Sequence, residues 1–472
     1  MTCRRARAVD LLVPLFLLVT LQACTTAHRA HRPMPQVVSV AEGELESRGG
    51  RLRVGRASLE RHASFTLGVV EFDDQGYFWD RRQIDALEAE IRREAKVSTG
   101  SGALITVFVH GWRHTSEVCD TSLCCFREAL RNTAEDQTAA LALSGTDAKP
   151  ARVFGVFVGW RGLSKRVWPL EYLSFFSRKN VAVKVGAGDM TELLTRLDRL
   201  RRELNAADLD RSRLVVVGHS LGATVVYSAI SGVLKSRLAE TRPAFDPQAA
   251  SVPVVRGFGD LVVLVNPALD AVAFHPLWDM ASRFPAFSRN QSPILIVVGS
   301  ETDSATGSFF PLGQAVATLF EKTRDAEQRR ALRTAVGNYE PFVSHRLTAI
   351  EPANGTTPEP KVEGCRCHLP HQQITRAEVD DLIRVAQAGE RRTDAERGGR
   401  TGPSWGQEAC EPTQVFGRTL LTCVKPVLRG NPVWVVRAAP EVLHEHGGFY
   451  NPLLGDFLRR LILGGEGEPA TK

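Results

Sequence analysis

At 472 residues the chain can hold one large domain with insertions, or two domains. Apolar residues make up 43% and charged residues 24%, which fits a globular protein and excludes a disordered or fibrous one. The net charge of +6 is slight for this length, is spread along the chain and comes with no nucleic-acid-binding signature, so no nucleic-acid partner is expected.

The N-terminus reads as an export signal over residues 1–23. Arg4, Arg5 and Arg7 precede LLVPLFLLVTL, an apolar run too short to span a bilayer as a helix. Leu21-Gln22-Ala23-Cys24 then resembles the signal of bacterial lipoproteins, which implies cleavage before Cys24 and lipidation of that cysteine. An ordinary secretory cut near Ala23 or Ala27 is the alternative, and both export the protein. Thr25 stands where an inner-membrane retention signal would often place Asp. By resemblance this implies an outer-membrane protein facing the periplasm, held to the bacterial envelope by its lipid.

Residues 24–60 are basic, polar and poor in apolar pattern, and read as a tether. From Phe65 the pattern changes. FTLGVVEF suggests a strand, and Arg81 to Val97 an amphipathic helix with Ile84, Leu87 and Ile91 on one face. ALITVFV is a buried strand, Ser122 to Leu143 a helix, and RVFGVFV another buried strand. Met190 to Leu204 is a helix. LVVVGH, LVVLV, ILIVVG and VWVVRA are further buried strands, and Leu453 to Leu463 is a closing helix. Apolar strands alternating with helices imply a mostly parallel sheet covered on both faces. The core is expected over 61–303 and 431–464, with a tail at 465–472. Residues 304–430 read as an insertion, either a lid or a disulfide-stapled excursion, with one helix over Leu312 to Val336.

Once Cys3 and Cys24 are set aside, seven of the nine cysteines are left for an oxidising compartment, where disulfides lead. The odd number leaves one free or paired elsewhere. Cys410 and Cys423 flank a hairpin and make a plausible pair. Cys365-Arg-Cys367-His368 matches no common zinc spacing, and no metal or cofactor is expected.

The chemistry centres on Leu214 to Tyr227, LVVVGHSLGATVVY. A strand ends at Gly-His-Ser-Leu-Gly and a helix begins, the context of a nucleophile elbow that lifts one hydroxyl, Ser220, clear of the sheet. A serine needs a base to take its proton, usually a histidine oriented by a carboxylate. In chain order the acid should follow a later strand and the histidine the last one. Asp303 ends ILIVVGSETD, and His446 follows VWVVRA. Asp270 and His444 are the rivals for these places.

With FVHGW, GHSLG, NPALD, GSETDSAT and the late His-Gly-Gly in view, the chain resembles the α/β-hydrolases of esterase/lipase type, over Ala103 to Asp303 and Val433 to Leu463. The resemblance implies an α/β-hydrolase fold with a long insertion before the last strand. It also implies Ser220 as nucleophile, His446 as base, Asp303 as orienting acid, and an oxyanion hole from the backbone N–H of Leu221 and of Gly111 or Trp112. His110 would shape the oxyanion loop. The implied activity is hydrolysis of a small-molecule or lipid ester through an acyl-enzyme. The same site could serve an acyltransferase or amidase, and a silent binding scaffold is the reading from another class.

Overall fold

The computed structural model describes residues 30–97, 102–145, 149–162, 170–207, 212–241, 254–284, 287–288, 291–351, 360–372, 374–384, 405–406, 413–425, 427–428, 430–462 and 468–469. The export signal, Cys24 and Cys410 lie outside them. Thirteen strands form one sheet. In chain order they are β1 (Met34–Ser39), β2 (Ala57–Arg61), β3 (Phe65–Glu71), β4 (Ala103–Val109), β5 (Arg152–Gly159), β6 (Arg213–His219), β7 (Leu261–Val265), β8 (Leu295–Ser300), β9 (His345–Ala349), β10 (Thr413–Phe416), β11 (Thr419–Cys423), β12 (Val433–Ala438) and β13 (Glu468–Pro469). Their spatial order is β1-β2-β3-β5-β4-β6-β7-β8-β12-β9-β11-β10-β13. The pairings from β3 through β12 to β9 are all parallel. Antiparallel pairs occur only toward the two ends.

The apolar runs are continuous because both faces of the central strands are covered. The ten helices used below are α1 (Arg48–Val54), α2 (Arg82–Val97), α3 (Thr121–Ser144), α4 (Leu170–Ala187), α5 (Met190–Ala207), α6 (Leu221–Thr241), α7 (Ala271–Ser282), α8 (Phe310–Ala317), α9 (Ala326–Arg333) and α10 (Pro452–Ile462). Alternate residues of a strand point to opposite faces. Val262, Val297 and Val435 therefore pack under α2 and α4 to α7, whereas Val263, Ile296 and Val436 pack under α10. On that second face α3 covers Phe65, Phe108 and Phe157. This is the mostly parallel, helix-flanked sheet of the α/β-hydrolase fold.

Three sequence expectations change. The tether expected at 24–60 is folded from Met34 onward, as β1, α1 and β2. Its apolar cluster is small (Val38, Val40, Val54 and Ala57), and beside it lies a buried charged group, which hid it. Arg32 and Glu60 are fully buried 3.1 Å apart, and Arg127 of α3 donates to both Glu60 oxygens at 2.8 Å. Burial opposes ionisation of Glu60, yet the cations, Arg127 foremost, hold its carboxyl well below the usual range. The insertion is only partly an excursion, since β9, β10 and β11 extend the main sheet beyond β12. Its one expected helix, Leu312 to Val336, is instead α8 and α9, preceded by a π-helical turn at Ala305–Phe309. Asp325 interrupts it, accepting from the Gln328 N–H as the N-cap of α9.

The hairpin at Lys361–Glu363 and Arg366–His368 is stapled to the start of α3 by Cys119–Cys365 and Cys125–Cys367. Both cysteines of the Cys-Arg-Cys-His stretch are thereby committed to disulfides. Cys124 is buried as a free thiol.

Candidate active site

Parallel strands bring their C-terminal ends to one edge, where ligands bind in open α/β sheets. Because β4 lies between β5 and β6, the loop after β4 (His110-Gly111-Trp112) reaches the loop after β6 (Ser220). Because β8 lies between β7 and β12, Asp303 meets the loop after β12.

Ser220 has φ +56°, the left-handed region that a non-glycine residue adopts at a cost. Three backbone bonds hold it there. Its N–H donates to Val265 O at 3.0 Å, and its C=O accepts from Ala223 and Ala268, each at 3.1 Å. The flanking glycines are required by space. A Cβ on Gly222 would lie 2.0 Å from Val109 O, and one on Gly218 would lie 2.7 Å from Ala223 Cα. Gly111 is packed against the serine itself, since a Cβ there would lie 2.8 Å from Ser220 Cβ. Leu221 opens α6, so its N–H is among the donors a helix leaves without an intrahelical partner.

His446 Nδ1 is 2.9 Å from Asp303 Oδ2. The Asp303 side chain is fully buried, whereas that of His446 is 31% exposed. Asp303 also accepts from the N–H groups of Ala305 and Thr306 at 2.9 and 3.1 Å and from Thr306 Oγ1–H at 2.6 Å. Burial pushes its pKa up, but the hydrogen bonds and charge from His446 and the Thr306 bonds prevail and hold it below the ordinary carboxylate value. An ionised acceptor fixes the proton of a neutral His446 on Nδ1 and leaves the Nε2 lone pair open.

Neither rival joins the pair. Asp270 is paired with Lys179 at 2.6 Å and accepts from Gln314. His444 Nδ1 is buried without a hydrogen-bond partner among the described residues. His110 is fully buried, stacked on Trp160, with its ring bonded to the Gly111 carbonyl at 3.0 Å, and burial lowers it to about 4. It shapes the loop from within, as expected.

A bracing layer escaped the sequence reading. Asn266, buried at φ +42°, donates to Glu445 O and His446 O at 2.9 and 3.0 Å, and accepts from the Ser300 N–H at 2.8 Å. His219 Nε2 donates to His446 O at 2.8 Å, and burial lowers its pKa to about 3, so it stays neutral. Thr302 Oγ1 accepts from the Glu445 N–H at 2.9 Å. The available signal was position alone: Asn266 directly follows a buried strand, and Thr302 comes two residues after another.

In the loop whose Gly111 packs on the serine, Trp112 meets Phe175 edge-on at 5.4 Å, Phe175 meets Phe310 at 6.5 Å, and Arg113 lies over the Trp112 ring at 4.4 Å. Together they make an aromatic wall. Among the described residues no group of His, Cys, Asp and Glu is arranged to hold a metal ion.

No protein-family model matches the chain. A sequence search of curated proteins finds no match either. Among solved structures the chain is similar to a Trichoderma reesei cutinase in complex with a phosphonate inhibitor, at 12% identity and TM-score 0.15, over 40% of this chain and 65% of the cutinase. It is also similar to the phospholipase PlaB of Legionella pneumophila in complex with thio-NAD, at 15% identity and TM-score 0.23, over 54% of this chain and 47% of that one. The chain thus spans less than two thirds of each. The fold assignment stands on the strand order and the elbow.

Proposed function

We propose that the protein is a serine hydrolase that cleaves carboxylic esters. Ser220 is the nucleophile, His446 the base, and Asp303 the orienting carboxylate. One observation carries the reading: a buried, ionised Asp303 holds His446 by Nδ1 at the sheet edge that also presents Ser220 on its elbow. Ser220 Oγ bonds to the acyl carbon while its proton passes to His446 Nε2. The resulting imidazolium is stabilised by Asp303. Negative charge on the carbonyl oxygen is met by the N–H groups of Leu221 and of Gly111 or Trp112, each donor contributing about 3 kcal/mol. The alkoxide leaves with the proton from His446. Water, deprotonated by His446, then releases the acid and restores the serine.

The N-terminal sequence supports placing the protein at a bacterial envelope, anchored by lipid on Cys24 and facing the periplasm from the outer membrane. The testing experiment is fluorophosphonate labelling of the purified protein beside Ser220→Ala, Asp303→Asn and His446→Ala. The expected result is labelling in wild type, none in Ser220→Ala, and a strong loss in the other two. Unchanged labelling in Ser220→Ala refutes the assignment.

A further inference from the structure

The segment following Asp303 is built inside out. From Ala305 to Phe320 it contains no charged residue. Its inward face carries Phe310, Gln314 and Thr318, all buried, with Gln314 donating to Asp270 and to Leu332 O. Its outward face carries Phe309 (66% exposed), Leu312 (69%), Val316 (73%), Leu319 (64%) and Phe320 (95%). Helical spacing places this set along one side of α8 and the turn after it. A surface helix normally faces its apolar side inward. Here two polar residues face the protein and five large apolar ones face solvent, and a contiguous exposed patch of this kind marks an interaction site.

Two observations identify the occupant. The strip is convex, a helix face rather than a groove, which suits a broad soft surface better than an inserted peptide. It also runs directly into a basic stretch. Residues 321–333 hold five Lys and Arg against three Asp and Glu, a surplus of two positive charges; Glu321, Asp325 and Glu327 are exposed and Arg324 is paired with Asp325 at 2.7 Å, so exposed Lys322 and Arg329 carry the cationic border. An apolar face with a cationic border complements an acyl-chain surface bearing anionic headgroups. The strip is joined to the site by residues on its other face: Thr306, in the π-helical turn before α8, hydrogen-bonds Asp303, and Phe310, on the inner face of α8, extends the aromatic wall through Phe175.

We infer that the 309–320 strip docks the protein on an anionic lipid surface, so that Ser220 works on acyl esters presented at that surface. The substrate half of this inference rests on the hydrolase reading above; the docking half does not.

The test uses the mature chain, from residue 24 onward and carrying Cys24→Ser, so that neither the apolar, basic export signal nor an N-terminal lipid contributes, and sediments it with phosphatidylcholine vesicles with and without phosphatidylglycerol. Binding is expected to both and to be stronger with phosphatidylglycerol. Leu312→Glu combined with Phe320→Glu is expected to weaken it by at least about tenfold, while fluorophosphonate labelling and cleavage of a water-soluble p-nitrophenyl ester stay at the Cys24→Ser level. Equal vesicle binding by both proteins, or none by either, overturns docking. So does a Cys24→Ser dimer that the double substitution splits in sedimentation velocity, since the strip would then cover a second copy. Docking without labelling would retire the hydrolase reading alone, and labelling without docking would retire the strip alone.

Discussion

Replacing Asn266 with Ala removes no reacting atom, yet it should cost both stability and activity. Three hydrogen bonds disappear: two donated to the loop carrying His446 and one accepted from Ser300. At about 1 kcal/mol net each, they sum to about 3 kcal/mol. Alanine tolerates φ +42° less well than asparagine, which adds about 1 kcal/mol. The His446 carbonyl keeps its bond from His219 and the Glu445 carbonyl belongs to an exposed residue that water can reach, so the chief orphan is the N–H of buried Ser300, which costs about 1–3 kcal/mol. Stability should therefore fall by about 4–6 kcal/mol. The loop bearing His446, the proposed base, would lose its main strut, and an ångström of misplacement costs about a hundredfold in rate. The assay pairs thermal unfolding with hydrolysis of a short p-nitrophenyl ester. Asn266→Asp keeps the acceptor for Ser300 but loses both donors, and should show the rate loss with less of the Ser300 defect. Wild-type kcat in both variants would refute the bracing role.

Gly111→Ala forces a methyl against Ser220, and should lower kcat about a hundredfold or more while the protein stays folded; unchanged kcat would remove Gly111 from the oxyanion loop. Buried His110 and His219 have folded pKa values of about 4 and about 3, below the unfolded value of about 6.5. Their contribution to stability is complete above that unfolded value and is lost as pH falls toward the folded ones. Each should then cost up to about 2 kcal/mol at pH 5, read as a drop in urea midpoint from pH 7; a flat profile contradicts their burial as neutral rings. The Asp303 carboxyl, held low, contributes stability that is present at neutral pH and lost only in stronger acid. Asp303→Asn should remove that part of the acid-side loss while leaving the histidine part. The two disulfides close loops of 246 and 242 residues between the same two elements. Either alone supplies nearly all the chain restraint, about 5 kcal/mol. Cys365→Ser or Cys367→Ser singly should cost far less than half of what both cost together, as measured by chemical unfolding.

The parallel core was legible because its strands are continuous apolar runs and its helices repeat at helical spacing. The strained turn at Ser220 was legible because it is a local pattern, and the meeting of His446 with Asp303 because the chain order of the strands brings their loops to one edge. The His444 and Asp270 alternatives were separable only by geometry, since two histidines two residues apart obey the same sequence rule. Asn266 and His219 were not legible as struts. A side chain bonding a backbone carbonyl 179 or 227 residues away leaves no periodicity. The folded N-terminal segment was misread for a related reason. A hydropathy pattern treats Arg32, Glu60 and Arg127 as solvent-facing, whereas here they satisfy one another in the interior. The strands at 345–349 and 413–423 are short and only partly buried, so they carry weak signals.

The position of β12 sets a schedule for assembly. It is not an edge strand but a wedge between β8 and β9, which do not touch each other in the sheet. Until Val433–Ala438 is available, β8 has an open border and β9, β10 and β11 have nothing to dock on. Closing that gap joins residues distant in the chain, a slow class of event. The histidine arrives with the same strand that seals the sheet. A chain interrupted between residues 303 and 433 therefore carries Ser220 and Asp303 but lacks His446, so on the proposed reading the serine gains its base only with the last strand.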